Sequence, residues 1–507
     1  MNTSKSAQLI ARVVLPRLGE VFFAAVFAAV IGMGSQLMNV DGDLGRHITL
    51  GDYILEMRTI PTRDVFSFTK LGDPLTPHEW LSDVLFSIAH RFAGMDGVVW
   101  LTALVLAVSF WLVYKQSLAL TNMSIIALVG SVLGAAAASL HWLTRTHIFT
   151  ILFTAIWTIE LDKVRLGLRK KWGIFPIMMA IWANLHGAFI AGLVIWALVF
   201  LGELLEREKH WSQLRVLLWI GPSAVLASLL NPDGLGIWKT GLGFLGNQYL
   251  VSHTAEYLPP DFQNPSFWPF LGIIGLSILV LGLSRWRMKY ARLFLLGSWT
   301  AMALYSARNI PLYIVVVIPI LIDSTGRIIK EARGKLHVNW FLNLQDRIAI
   351  TEKQIRGGLL GLVVMLASIS LLLNGVNLDF QGVGNRFSRD VFPVGAVDWM
   401  EKNPLEGKGF NHFPWGGYLL YRLWPEQLVF IDGQTDFYGE ELTREYEQVI
   451  RLQPGWEEVF QKYNIRWALI PTDSSLANYL SQQEGWEVIF SDQTARIFKL
   501  INGDQAY

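Results

Sequence analysis

The chain has 507 residues, of which 52% are hydrophobic and only 16% charged, with a formal net charge of +1. Soluble globular proteins carry about 25% charged residues, so the deficit points to lipid as the solvent, and no basic domain stands out for nucleic acid. No cysteine is present, which excludes disulfides, thiolate chemistry and cysteine-ligated metals.

A bilayer core needs roughly 20 apolar residues of helix, fewer where polar residues line a bundle interior. In chain order, spans are predicted near 20–38, 97–115, 123–141, 148–162, 173–185, 188–206, 214–230, 267–284, 292–307, 310–325 and 357–375, about eleven in all. The first apolar run follows basic residues without a small-residue cleavage site, so it reads as a retained helix and not a signal peptide. The 21 tryptophans and 14 tyrosines suit two membrane interfaces.

Charge orients the spans. Lys5, Arg12 and Arg17 precede the first, and basic clusters recur after every second span: Lys115, Lys163 to Lys171, Arg207 to Arg215, Arg285 to Arg292, and Arg327 to Arg356. The alternate short turns hold mainly Arg145, Lys239 and Arg308. By the positive-inside rule the N-terminus is cytoplasmic in a multi-pass cell (inner or plasma) membrane protein, and an odd number of spans leaves the C-terminal segment outside.

Two stretches are not spans. The outer loop 39–96 carries Ile48–Met57 and Leu81–Phe92 with amphipathic helical spacing, predicting two interfacial helices. From about 376 to 507 the composition turns soluble. Short apolar strands (Gln427–Ile431, Trp467–Pro471, Trp486–Phe490, Thr494–Leu500) alternate with helical stretches (Val394–Lys402, Glu440–Leu452, Trp456–Tyr463), which predicts a small α/β domain. The expected architecture is therefore a polytopic α-helical membrane region, 1–375, with a soluble α/β domain at 376–507.

Ionisable groups at membrane depth are functional candidates, and here they gather at the outer ends of the spans. Asp41, Asp43 and His47 follow the first span, and His78 and Glu79 lie in the same loop. His141, Arg145 and His147 make one outer turn, Asn184 and His186 the next. Asn231 and Asp233, then His253 and Glu256, follow the seventh span, and Arg308 with Asn309 makes a last turn. His90 and His147 read better as hydrogen-bonded anchors. Arg145 and Arg308 sit in turns short enough to hold a guanidinium against a phosphate. The stretches NHFPWGGYLLYRL and FIDGQTDFYG fit either a carbohydrate platform or tight turns in a packed small domain.

This arrangement resembles the GT-C superfamily of membrane glycosyltransferases, which includes protein mannosyltransferases, the aminoarabinose transferase of lipid A and oligosaccharyltransferases. The features that carry the resemblance are Asp41-Gly42-Asp43 after the first span, the long first outer loop, the N-in spans and the outer C-terminal domain. Ile60-Pro61-Thr62-Arg63-Asp64-Val65-Phe66-Ser67, His78-Glu79-Trp80-Leu81-Ser82, Asn184-Leu185-His186-Gly187, Asn231-Pro232-Asp233-Gly234 and Phe430-Ile431-Asp432-Gly433 look like a bacterial branch of it. One departure is that no second acidic motif stands in the later outer turns.

The resemblance implies an inverting transfer of sugar from a polyprenyl-phosphate donor to a glycan, lipid or protein acceptor at the outer face. Asp43 or Asp41 is then the expected general base. His78, Glu79, Arg145, His186, Arg308, His141 and Asn184 are the expected substrate-binding groups. A divalent metal, Mg2+ or Mn2+, stays open, and no other cofactor is implied. A lipid-linked-sugar transporter and a non-catalytic scaffold of the same fold are the competing classes. The absence of repeated halves and of mid-span charge speaks against the transporter.

Overall fold

The computed structural model describes residues 14–501. Lys5 and Arg12, read above as part of the cytoplasmic flank, lie outside the described residues. Among those described, five helices are long and apolar enough to cross a membrane: Trp80–Thr121, Ser124–His141, Gly187–Leu205, Pro265–Leu283 and Ala307–Glu331. The pair Leu336–Gln354 and Leu359–Leu373, bent by 67°, makes a sixth if it is one span. The other expected spans are occupied by shorter or more polar helices, Leu18–Gly32, His147–Arg165, Ile174–Leu185, Trp211–Ser228 and Tyr290–Tyr305.

The helix Ile310–Glu331 runs through the middle, packed on Trp80–Thr121, Ser124–Ala138 and Tyr290–Tyr305. Its run of branched aliphatics is buried all round, as a central helix should be. The peripheral helices leave leucine and isoleucine exposed, Leu226, Ile278 and Leu279 among them.

The loop 39–96 does form two helices, Asp43–Met57 and the start of Trp80–Thr121. The second continues into a span and is broken at Ala93–Gly94, where Gly94 takes φ +58°, a left-handed turn that glycine adopts at little cost. The break turns the amphipathic segment 80–92 away from the apolar one that follows it.

The C-terminal part holds a four-stranded sheet of order β1-β2-β4-β3, with β1 Lys408–Asn411, β2 Ile465–Pro471, β3 Trp486–Ser491 and β4 Ala495–Leu500. β1 pairs parallel to β2, and β4 runs antiparallel to β2 and β3. The expected strand Gln427–Ile431 is not part of this sheet. Val429 instead exchanges backbone hydrogen bonds with Phe66 and Phe68 of the outer loop, both 3.1 Å. The Asn411 side chain takes the Phe430 N–H and donates to the Ile431 carbonyl, each at 2.8 Å. With its backbone groups engaged this way, the segment 427–431 ties the sheet to the membrane region.

Candidate active site

The acidic motif lies where the first helical stretch ends and Asp43–Met57 begins. Asp41 accepts the Asp43 N–H at 3.0 Å, an Asx-type turn just before a helix start that suits a negative group. The turn 139–146 then delivers Arg145 onto the motif. Arg145 Nη1 lies 2.8 Å from Asp41 Oδ2 and 2.7 Å from Glu256 Oε1, while Nη2 lies 2.7 Å from Asp43 Oδ2. Burial pushes the Asp41 carboxyl up to about 6, with Asp43 and Glu256 adding to the rise and Arg145 opposing it. Burial also acts to raise Glu256, but Arg145 and Arg308 outweigh it and hold Glu256 down at about 2.

The turn Ala307–Asn309 places Arg308 beside this cluster. Its Nη1 donates to Tyr257 Oη at 2.7 Å and lies 3.6 Å from Glu256 Oε2, and its guanidinium carbon stands 5.0 Å from the Tyr257 ring centroid. His186 Nε2 is 3.4 Å from Arg308 Nη2 and 3.4 Å from Glu79 Oε1.

His186 is held through both ring nitrogens. Its Nδ1 accepts the Ala188 N–H at 3.3 Å and sits 2.9 Å from Thr150 Oγ1, which itself accepts Trp182 Nε1–H at 2.9 Å. Burial, with Arg308 adding to it, holds the His186 imidazole well below the usual range despite Glu79. Its Nε2 faces the Arg308 Nη2–H and the Glu79 carboxylate. Glu79 accepts Thr146 Oγ1–H at 2.8 Å and faces His78 at 4.0 Å. Burial favours the protonated acid, yet His78, His186, His47 and Arg145 together push the Glu79 carboxyl far below the usual range.

The segment 430–436 of the C-terminal part forms the remaining wall. Asp432 lies 3.6 Å from Arg46 Nε, Gln434 hydrogen-bonds the same guanidinium, and Asp436 is 3.8 Å from His78 Nδ1. Gly433 fits against Asp43, for a Cβ there collides with Asp43 Oδ1. Gly417 packs equally tightly, its Cβ position overlapping the Gly42 carbonyl. One turn past Asp43, His47 Nδ1 pairs with Asp83 Oδ1 at 2.7 Å in the buried floor, and His47 Nε2 is buried without a hydrogen bond among the described residues.

Asp41, Asp43, His78, Glu79, Arg145, His186 and Arg308 thus form one connected cluster, with His141 near Glu256 and Arg308. Asn184 is turned to structure: its Oδ1 accepts Trp80 Nε1–H at 2.6 Å, and its amide nitrogen donates to Ala180 and Leu230 carbonyls at 2.7 and 2.8 Å. Sequence reasoning named Glu256 among the polar groups at the span ends and read Asp432, Gln434 and Asp436 within FIDGQTDFYG as a carbohydrate platform or tight turns, without joining them to this site, and it passed over Arg46 and Asp83. Their one visible signal is spacing: Asp83 stands four residues after Glu79 and His47 four after Asp43, one helical turn in each case.

The residues present do not fit a divalent ion. The carboxylate oxygens of Asp41, Asp43 and Glu256 that converge are taken by one guanidinium. Among the described residues no group of three or more His, Asp or Glu is arranged to hold one.

No protein-family model and no curated protein sequence matches the chain. Solved structures do match. The Archaeoglobus fulgidus oligosaccharyltransferase AglB, in complex with an inhibitory peptide and a dolichol-phosphate, is 12% identical with TM-score 0.57, over 96% of this chain and 74% of that one. The same enzyme with Zn and sulfate matches with TM-score 0.53 at 12% identity, over 94% and 73%. ArnT from Cupriavidus metallidurans in the apo state is 16% identical with TM-score 0.50, over 94% of this chain and 97% of that one. At these identities the likeness is one of fold, and the chain has the fold of the GT-C membrane glycosyltransferases.

Proposed function

We propose that the protein transfers a sugar from a polyprenyl-phosphate donor to an acceptor at the outer face of the membrane, with inversion at the anomeric carbon. About eleven spans with the N-terminus inside would place residues 1–375 in the membrane, and 376–507 outside it as the wall that closes the site. The dolichol-phosphate held by the structural neighbour supports the donor class.

The observation that carries this reading is the state of Asp43. Asp41 has both oxygens engaged, one by the Asp43 N–H and one by Arg145. Asp43 has Oδ2 on Arg145, while Oδ1 has no hydrogen bond among the described residues and faces Gly433. Asp43 Oδ1 is therefore the oxygen that takes a proton. As the acceptor heteroatom bonds to the anomeric carbon, its proton passes to Asp43 and the bond from that carbon to the phosphate oxygen breaks. The phosphate leaves with the electron pair.

Arg308, engaged by one carboxylate where Arg145 is engaged by three, stands beside the leaving phosphate with His186 next to it. Arg145 is committed to carboxylates and orients them. Asn184 pins the outer turns, and His78 with Glu79 holds the facing wall.

The test uses full-length protein in nanodiscs. Undecaprenyl phosphate binding is followed by native mass spectrometry, and a panel of undecaprenyl-phosphate sugars is offered with water-soluble and lipid acceptors. Release of undecaprenyl phosphate coupled to sugar transfer is expected. Movement of an intact donor across the bilayer with no bond cleavage would overturn the reading in favour of a transporter.

A further inference from the structure

We infer that Arg145 is the resident cation of this site, holding Asp41, Asp43 and Glu256 where a divalent ion would otherwise be needed. Asp41 and Asp43 come from one motif and Glu256 from a loop more than two hundred residues on, yet their facing oxygens all lie within 2.8 Å of the two terminal nitrogens of one guanidinium. Three carboxylates so placed repel one another strongly in a buried site, and something must neutralise them. A guanidinium is always charged and matches carboxylates two at a time. A Mg2+ ion, by contrast, demands near-octahedral oxygens at about 2.0–2.1 Å, and the oxygens it would use here are taken.

The turn that carries Arg145 is fixed. Thr144 and Thr146 on either side are buried, and Thr146 is hydrogen-bonded to Glu79. The backbone that carries the guanidinium is therefore anchored on both sides of Arg145. Arg145 covers the acids from one side, and Arg308, 3.6 Å from the far oxygen of Glu256, completes a two-cation frame. An arriving divalent ion meets both positive charges as well as occupied ligands.

The inference rests on the transferase reading only for what the site acts on, since the ion question is answered by binding alone. Mn2+ is titrated into full-length protein in nanodiscs and free Mn2+ is read by electron paramagnetic resonance. Wild type should bind no stoichiometric Mn2+. Arg145→Ala and Arg145→Gln, which release the three carboxylates, should each gain one site at least about tenfold tighter than any wild-type binding, or about 1.4 kcal/mol. Transfer by the wild type should be unchanged by EDTA.

One tight Mn2+ per wild-type protein, abolished by Asp43→Asn, overturns the inference even if transfer is confirmed. So does failure of both folded Arg145 variants to gain a site. If no donor is cleaved but the Mn2+ results are as expected, the transferase reading fails and the resident cation stands.

Discussion

Asp43 and Gly433 share one contact: the carboxylate oxygen of Asp43 that carries no hydrogen bond lies where a side chain at 433 would begin. The acidic motif after the first helical stretch and a segment of the C-terminal part therefore define a single surface. Gly433→Ala should displace either the carboxylate or the 430–436 segment. We expect at least a tenfold fall in turnover, about 1.4 kcal/mol in the barrier, with helix content by circular dichroism and undecaprenyl phosphate binding near wild type. Full activity in Gly433→Ala would show that the segment is not a wall of the reacting site.

The two aspartates should separate in kinetics. Asp43→Asn preserves volume and removes the proton acceptor, so turnover should fall by about 10²–10⁴ while donor binding persists. Asp41→Asn loosens the grip of Arg145 and should cost less, because Asp41 has no uncommitted oxygen. Equal activity of Asp43→Asn and wild type, or a larger loss in Asp41→Asn, reverses the assignment of base.

Much of this was legible in the sequence because it obeys simple periodicities. Alternating basic clusters and apolar runs placed the helices, and the two helices of the loop 39–96 follow from their amphipathic spacing. Polar residues in short turns have few places to go, so Arg145, His186 and Arg308 were visible as a group. The rest depends on contacts that no local pattern encodes. β1 was missed because Lys408-Gly409-Phe410-Asn411 contains a glycine that disfavours strands. That glycine is there because a side chain at 409 collides with the Trp467 ring. The segment 427–431 has strand composition but pairs with the outer loop. Glu256 lies in a polar loop, and only the fold shows that it meets Arg145 and Arg308.

Asp41 gives a pH signature. Its folded carboxyl is raised from an ordinary 3.8 to about 6, chiefly by burial. The native state therefore holds this proton more tightly than the unfolded chain does. That contribution to stability is fully present below 3.8 and is lost as pH rises through about 6. Asp41→Asn removes the cost of the buried charge, so thermal denaturation in detergent should find it more stable than wild type at pH 7 to 8. The gap, on the order of 2 kcal/mol, should close as pH falls towards 4. A gap independent of pH, or of opposite sign, contradicts the assignment.

Arg308 predicts a split between binding and chemistry. Its guanidinium lies against Tyr257 and Glu256 but is not enclosed by carboxylates as Arg145 is. A hydrogen bond to a charged group contributes about 1.5–3 kcal/mol, so Arg308→Ala should weaken undecaprenyl phosphate binding by roughly ten- to a hundredfold. Arg308→Lys should restore part of the affinity and less of the turnover, since a point charge replaces a fork. Unchanged affinity in Arg308→Ala would move the phosphate elsewhere.

The His47–Asp83 pair makes the strongest prediction about the floor of the site. The imidazole sits one turn beyond Asp43, paired at 2.7 Å, and neither side chain reaches water. Burial disfavours the charged ring, but Asp83 outweighs burial, Glu79 and Asp43 add to it, and the His47 imidazole ends above its ordinary 6.5. A ring raised in this way contributes stability that is fully present below 6.5 and lost as pH rises through the elevated folded value. Removing one partner leaves the other buried without compensation, which costs about 3–5 kcal/mol. His47→Ala and Asp83→Ala should each lower the thermal midpoint sharply at pH 6, and the double variant should lose much less than their sum. His47→Gln, which refills the space without the charge, should fold better than His47→Ala and should flatten the dependence of stability on pH between 6 and 8. If the pair positions Asp43, His47→Gln should also shift the pH profile of turnover while leaving donor affinity near wild type. Additive single variants, or a His47→Gln protein with the wild-type pH dependence, would mean that the pair is not ionised and that Asp43 does not depend on it.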